Sequence, residues 1–232
     1  MKIPSFEQPR KKNREAQKED RELLKFPKIP HLPWSCSVTR DDRQMTPEQA
    51  VENFAGKTLV YLEKMDGENT CMSSDQIRAR SVSGAYGRPW QADMQKRWEA
   101  IRNDIPEGFT IYGENMTGVH SVEYGNLTDF FYVFGMTDGS EYLSFEDVSG
   151  YAAELGLKVA PTIKIGPLEE LAIPETSEFG PVCEGYVVRN VASFQVLDEW
   201  EQNIGKCVRE GHVQPESEHW TKRWKRARIN WQ

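Results

Sequence analysis

The chain has 232 residues, a net charge of −7, 38% hydrophobic and 28% charged residues. This length accommodates one large domain or two small ones with a substantial core, and 25 aromatic residues argue against wholesale disorder. No apolar stretch is long enough for a membrane span or a secretion signal, and four cysteines without a C-x-x-C pair exclude a zinc cluster, so we expect reduced thiols in a cytoplasmic protein without a membrane partner.

Charge is distributed unevenly along the chain. Residues 1–30 carry 9 basic and 5 acidic side chains, residues 206–232 carry 7 and 3, and the residues between carry 13 and 28. We divide the chain into a charged N-terminal arm over 1–26, one domain over 27–220 and a basic tail over 221–232. The tail combines five basic residues between Lys222 and Arg228 with Trp224 and Trp231, which suits phosphates and stacked bases, although a solvated basic helix has the same pattern.

Hydrophobic patterning along the domain predicts a mixed α/β structure. A buried strand over 58–63 ends before the dipeptide Asp66-Gly67, which predicts a tight turn. Apolar spacing predicts a helix over 91–104, and Ser144 with Asp147 predicts the capped start of a second helix that reaches about Leu155. Further strands are predicted over 109–112, 130–136, 158–165, 185–189 and 204–209.

Lys64 is the first candidate for chemistry, because it follows the first apolar strand and precedes Asp66-Gly67. A lysine acts as a nucleophile only as the neutral amine, a form that burial, neighbouring cations or a divalent metal favour. Taken alone, K-x-D-G has a simpler explanation, which is an exposed lysine before a hairpin turn.

Five later segments follow Lys64 in a fixed order. They are RARS with Arg80, YGEN with Glu114, FFYVFGM with Phe134, EGYVVR with Glu184, and KCVR with Lys206 and Arg209. Together with PKIPHLP and EKMDGENT, this order resembles the motifs of the covalent nucleotidyltransferases and, within that superfamily, a compact ATP-dependent RNA ligase family. The resemblance runs from about Pro27 to Trp220. It implies an α+β fold, an ATP-grasp-like nucleotidyltransferase domain of twisted, mainly antiparallel sheets flanked by helices.

The resemblance also implies roles for individual residues. Lys64 would attack the α-phosphorus of ATP and hold AMP, and Lys206 would be a second catalytic residue that offsets phosphate charge. Glu114 and Glu184 are expected to hold Mg²⁺ or Mn²⁺. The residues expected to contact the nucleotide are Glu63, Asp66, Gly67, Arg80, Glu114, Phe134, Glu184 and Arg209, with Phe134 stacked on adenine. Each has a purely structural alternative, as a surface charge or, for Phe134, as a core residue.

One position departs from the family pattern. Many relatives have a second lysine two residues from the motif lysine, where this chain has Ile204 and Val208. This leaves open which phosphate Lys206 contacts and whether Arg209 shares its role.

The implied activity is that of an RNA ligase. AMP would pass from Lys64 to a 5′-phosphate, and a 3′-hydroxyl would displace it to form a phosphodiester. Only 26 residues follow Lys206, too few for the OB barrel that DNA ligases and capping enzymes attach there, which favours RNA over DNA as the partner. Three alternatives stay open: a minimal DNA ligase, a non-catalytic nucleic-acid binder on the same core, and a nucleotidyltransferase that modifies a small molecule or a protein.

Overall fold

The computed structural model describes residues 26–80, 86–196, 200–211, 221 and 224–230. Within these ranges the helices are α1 (Pro47–Phe54), α2 (Ala92–Ile101), α3 (Phe145–Glu154) and α4 (Trp200–Asn203), with a 3-10 turn at Pro89–Gln91. The strands are β1 (Leu59–Glu63), β2 (Glu68–Met72), β3 (Ile77–Ala79), β4 (Thr110–Asn115), β5 (Phe131–Thr137), β6 (Glu141–Tyr142), β7 (Lys158–Val159), β8 (Thr162–Gly166), β9 (Gly185–Asn190), β10 (Phe194–Gln195) and β11 (Ile204–Val208). The predicted N-terminal arm, except Phe26, lies outside the described residues, as do Lys222, Arg223 and Trp231 of the tail.

The strands form two sheets, which confirms the predicted α+β class. The first has the order β11-β9-β1-β8 and is antiparallel throughout. The second has the order β10-β6-β5-β4-β2-β3, with β7 added parallel to β5. All four cysteines are free thiols. Over the described residues, no helix combines the length and the apolar composition needed to cross a bilayer.

The expected tight turn at Asp66-Gly67 is wrong, because β1 and β2 belong to different sheets. The connection instead carries the chain from the first sheet to the second and is bonded to both. The Lys64 N–H donates to the Gly185 carbonyl at 3.0 Å, and the Gly67 N–H donates to Oε1 of Glu114 at 3.2 Å. Lys64 therefore lies where the two sheets diverge.

The single strand predicted over 158–165 is also wrong. Its first part, β7, pairs with β5 in the second sheet, and its second part, β8, pairs with β1 in the first. Pro161 lies between them and has no N–H to continue a ladder, while its carbonyl accepts the Glu63 N–H at 2.8 Å. The other predicted elements are present, with ends shifted by up to three residues.

β1 is buried on both faces, which explains its continuous apolar sequence. Val60 and Leu62 pack into one core, and Leu59 and Tyr61 pack into the other. Since successive side chains of a strand alternate in direction, Lys64 continues the face of Val60 and Leu62. The side chain of Glu63 belongs to the opposite face.

The described part of the tail, residues 224–230, lies against the core, and we call it the C-terminal strap. Its backbone is bonded to the loop after β4 through Val119 N–H to Lys225 O at 2.8 Å and Ala227 N–H to Thr117 O at 2.8 Å. Arg226 pairs with Asp93 at 2.6 Å. The strap is therefore packed on the domain rather than extended into solvent.

Candidate active site

A cleft at the end of β1 collects most of the predicted site residues. Side chains of both sheets line it, with an apolar wall that includes Val187 and Ile204. The predicted site residues that line it are Glu63, Lys64, Arg80, Glu114, Phe134 and Lys206. Residues far apart in the chain therefore share one concave surface, as a nucleotide site requires.

Lys64 forms an ion pair with Glu184 at the base of this cleft. Its side chain is 29% exposed, whereas that of Glu184 is 4% exposed, so the lysine is the less buried member of the pair. Burial alone would lower the pKa of Lys64, but the carboxylates of Glu184 and Glu114 outweigh it, and the pKa is raised. Burial thus favours the neutral amine, as expected, but the two carboxylates favour the ammonium form more strongly.

Glu114 approaches the same lysine from β4. Burial, together with the charge of Glu184, raises the pKa of Glu114 to about 8, although Lys64 acts in the opposite direction. Glu184, which is buried, and Glu114, which is half-buried, thus both act on the same lysine.

The Glu114–Glu184 pair fits a divalent cation. Carboxylate oxygens are the protein ligands that Mg²⁺ and Mn²⁺ prefer, and the pKa of Glu114 is raised first by burial and then by the charge of Glu184, an effect that such an ion would oppose. Over the described part of the chain, no group of three or more His, Cys, Asp or Glu side chains forms a ready-made metal site. An ion at this position would therefore complete its coordination with water or substrate oxygens.

Lys206 faces the cleft from β11 and is held by a residue that we did not predict. Its Nζ lies 3.3 Å from Oδ1 of Asp42. Burial lowers the pKa of Lys206, Asp42 opposes this, and the positive charges of Lys64 and Arg80 add to the lowering. Asp42 gave no distinct sequence signal, because it lies in the charged run Arg40 to Arg43, which is typical of a surface loop.

Arg189 and Phe26 also line the cleft and were not among the predicted site residues. Arg189 is 3% exposed, and its guanidinium donates to the Leu143 carbonyl at 2.5 Å. Burial lowers its pKa to about 10. Phe26 packs edge-on against Phe134, with ring centroids 4.9 Å apart. Arg189 belongs to the EGYVVR segment and could have been selected from it, whereas Phe26 carried no signal.

Three predicted nucleotide contacts are engaged elsewhere. Asp66 Oδ2 accepts hydrogen bonds from Ser121 N–H at 2.8 Å, Ser121 Oγ at 2.6 Å and Val122 N–H at 2.7 Å. The Glu63 carboxylate accepts the Glu178 N–H at 3.3 Å, on the strand face opposite Lys64. Arg209 contributes its backbone N–H to the Glu184 carbonyl at 3.0 Å, and its side chain does not line the cleft. The carboxylates of Asp66 and Glu63 and the backbone of Arg209 therefore support the site, although Glu63 is also among the residues that line the cleft.

Solved structures of Naegleria gruberi RNA ligase have a similar fold. A mutant with ATP and Mn is 17% identical with a TM-score of 0.51, and the match covers 71% of this chain and 53% of that one. The form with PPi is 17% identical with a TM-score of 0.51 and coverage of 78% and 59%, and an apo mutant is 17% identical with a TM-score of 0.52 and coverage of 75% and 55%. This chain thus spans about half the length of those ligase chains. No curated protein matches it.

The two sheets, mainly antiparallel and flanked by helices, have the fold of these RNA ligase structures. A family model described as RNA ligase matches residues 57–208, which include β1, the cleft carboxylates and β11. The chain belongs to the RNA ligase family.

Proposed function

We propose that the protein is an ATP-dependent RNA ligase that works through a lysyl-AMP intermediate on Lys64. The observation that carries the proposal is the position of Lys64, which lines a cleft together with Glu114 and Lys206 and pairs with the buried Glu184. The RNA ligase family match, which covers Lys64, Glu114, Glu184 and Lys206, supports the same assignment.

The first step forms a bond between Lys64 Nζ and the α-phosphorus of ATP and breaks the bond to the bridging oxygen, so that pyrophosphate leaves. The ammonium ion must first lose a proton, since only the neutral amine has a lone pair for the attack. Lys206 and Arg80, on the cleft wall, offset charge on the phosphate oxygens as it develops. Phe134 offers an aromatic face for the adenine.

Glu114 and Glu184 are the residues that would hold Mg²⁺ or Mn²⁺. A divalent cation on these carboxylates supplies charge neutralisation at the phosphates and weakens the interaction that keeps Lys64 protonated. The carboxylate oxygen Oδ2 of Asp66 is bonded to Ser121 and Val122. It orients the segment that follows Lys64.

In the second and third steps, AMP passes from Lys64 to a 5′-phosphate, and a 3′-hydroxyl displaces it to close the phosphodiester. We assign RNA ends as the substrate on the strength of the family, with nicked DNA as the second candidate. We also assign the enzyme to the cytoplasm, where four free thiols are stable. The domain limits that we propose are 27–220, with the arm and the tail on either side.

The first test is labelling with α-³²P-ATP and Mg²⁺ or Mn²⁺. The wild-type protein is expected to acquire a label that is released by acid, as a phosphoramidate is, and Lys64→Ala is expected to acquire none. Lys158→Ala is the matched control, because Lys158 is an exposed lysine on β7, and its label should equal that of the wild type. An unlabelled wild-type protein would contradict the proposal and favour a non-catalytic binder.

The second test offers nicked RNA, nicked DNA, RNA–DNA hybrids and single strands with 5′-phosphate and 3′-hydroxyl ends. We expect sealing of substrates in which the 3′-hydroxyl end is RNA, since a 2′-hydroxyl distinguishes RNA from DNA. Sealing restricted to all-DNA nicks would replace RNA by DNA in the assignment.

A further inference from the structure

The segment from Pro30 to Arg43 precedes residues 57–208, the region that the RNA ligase family model matches. It nevertheless contacts a residue that lines the cleft, Lys206, because it covers the outer edge of β11. The Lys206 N–H donates to the Pro30 carbonyl at 3.0 Å, and the Leu32 N–H donates to the Lys206 carbonyl at 2.8 Å. Both backbone groups of Lys206 on this edge are therefore bonded to the segment.

Asp42, at the other end of this segment, reaches the side chain of the same lysine. Its Oδ1 lies 3.3 Å from Nζ of Lys206. Its Oδ2 accepts the hydroxyl of Thr39 at 2.7 Å and the Thr39 N–H at 3.3 Å. One carboxylate oxygen is thus anchored within the segment, and the other faces the lysine.

His31 is a second neighbour of the Asp42 carboxylate. It is 1% exposed, its Nε2 lies 3.5 Å from Asp42 Oδ2, and its Nδ1 shares a hydrogen bond with Ser35 Oγ at 2.7 Å. Burial, followed by the charge of Lys206, lowers the pKa of His31 to about 4. The imidazole is therefore neutral at pH 7 and does not compete with Lys206 for the negative charge of Asp42.

The environment of Lys206 explains why it needs such a partner. Burial is the main cause of its lowered pKa, and the positive charges of Lys64 and Arg80 add to the lowering. Without an anion on the other side, the Lys206 side chain would be repelled from the cleft. An ammonium has three donors, so one can stay on Asp42 while the others contact phosphate oxygens.

We propose that Asp42 is a positioning residue for Lys206, which extends the adenylation site to one residue that precedes the region 57–208. The proposal rests on the ligase function proposed above. Asp42 fixes the direction of the Lys206 ammonium before the nucleotide enters, so that little conformational freedom is lost when the phosphates bind.

The test compares Asp42→Asn with Asp41→Asn. The control removes the same charge from the adjacent residue, which is exposed. Formation of lysyl-AMP is followed in single turnovers over a range of ATP concentrations. Asp42→Asn is expected to lower the maximal rate about 10-fold or more, with a smaller change in the ATP concentration that gives the half-maximal rate. Asp41→Asn is expected to change neither the maximal rate nor that ATP concentration.

A double-mutant cycle separates positioning from a general structural effect. Asp42→Asn should have little further effect in a Lys206→Ala background, because the lysine that it positions is gone. Asp42→Glu should restore part of the rate by returning the charge. If Asp42→Asn does not fold, Thr39→Val replaces it, since that variant removes one donor to the Asp42 carboxylate and keeps the charge.

Failure of the ligase proposal and failure of the positioning proposal give different results. A wild-type protein that forms no lysyl-AMP overturns the proposed function. A labelled wild-type protein with Asp42→Asn as fast as Asp41→Asn, or faster, overturns the positioning role and leaves the ligase function intact. Full additivity of Asp42→Asn and Lys206→Ala would overturn it as well.

Discussion

Two glycines set the positions of the carboxylates around Lys64. A Cβ at Gly67 would lie 2.6 Å from the Asn115 carbonyl, and a Cβ at Gly185 would lie 2.0 Å from the Cys207 carbonyl. Both distances are shorter than any tolerated contact, so only glycine lets these segments approach their neighbours. The D-G and E-G pairs in the sequence therefore reflect close packing beside Glu114 and Glu184.

Gly67→Ala tests this packing. The added methyl group would push the Lys64–Gly67 segment from β4 and break the hydrogen bond to Glu114, so we expect at least a 10-fold loss in the rate of lysyl-AMP formation. Gly150→Ala in α3 is the control, because an added Cβ there meets open space. A Gly67→Ala rate equal to that of the control would show that the close approach is dispensable.

The lowered pKa of His31 predicts how the free energy of unfolding depends on pH. An unfolded chain protonates this residue below about pH 6.5, whereas the folded chain protonates it only below about pH 4. The unfolded state therefore binds more protons between these values, and the contribution of His31 to the free energy of unfolding falls as the pH falls through that window, by about 3 kcal/mol in all.

Chemical denaturation from pH 7 to pH 4 measures this effect. His31→Asn has no titrating ring, so the difference in unfolding free energy between the wild type and this variant should shrink across the window. A constant difference would show that His31 has an ordinary pKa in the folded protein. Asp42 does not interfere, because hydrogen bonds from Thr39 and the charge of Lys206 outweigh burial and lower its pKa to about 2.

Among the elements, α1 illustrates a local signal that was present but not used. Thr46 accepts the Gln49 N–H at 3.2 Å, and the Gln49 side chain accepts the Thr46 N–H at 2.9 Å, which forms a capping box ahead of Pro47. The helix buries Ala50 and Phe54 against β1 and β9. The sequence T-P-E-Q is typical of the N-terminus of a helix.

Thr46→Ala removes this cap and should lower the free energy of unfolding by about 1 kcal/mol in urea titrations. Thr46→Ser keeps the hydroxyl and should lose much less. Equal losses in the two variants would assign the effect to the threonine methyl group instead of the cap.

At the scale of the whole molecule, hydrogen bonds link the C-terminal strap to the active site. The strap bonds to the loop after β4, and Ser121 and Val122 of that loop hold Asp66, two residues beyond Lys64. Arg226 also lies over the Phe130 ring, 5.4 Å from its centroid. The basic tail thus contributes to the packing of the domain, beyond any contact with nucleic acid.

Deletion of residues 222–232 separates these two contributions. We expect a loss of about 2 kcal/mol in the free energy of unfolding without RNA, because backbone hydrogen bonds and the partly buried Ala227 and Ile229 are lost. Slower lysyl-AMP formation should accompany it. Arg228→Ala, at an exposed position, removes tail charge alone and should leave stability unchanged. Unaltered stability of the deletion would make the tail solely a nucleic-acid arm.

The sequence by itself determined five of the eleven strands in the described residues, the helices α2 and α3, and a candidate set of site residues, which are Lys64, Glu114, Phe134, Glu184 and Lys206. Hydrophobic periodicity and the order of motifs are properties of the sequence itself, so both can be identified without knowing which residues are in contact. The cap of α3 is one instance, since Ser144 accepts the Asp147 N–H at 3.1 Å as its spacing predicts.

Only the tertiary structure decided which charges meet. It separated β7 from β8, turned Asp66 and the Glu63 carboxylate away from the cleft, and brought Asp42, His31 and Arg189 toward Lys206 and Phe134. Whether Lys64 is charged depends on Glu184 and Glu114, which are far from it in sequence and adjacent in space. Burial and Coulomb interactions act through distance and desolvation, and neither quantity can be obtained from the order of residues alone.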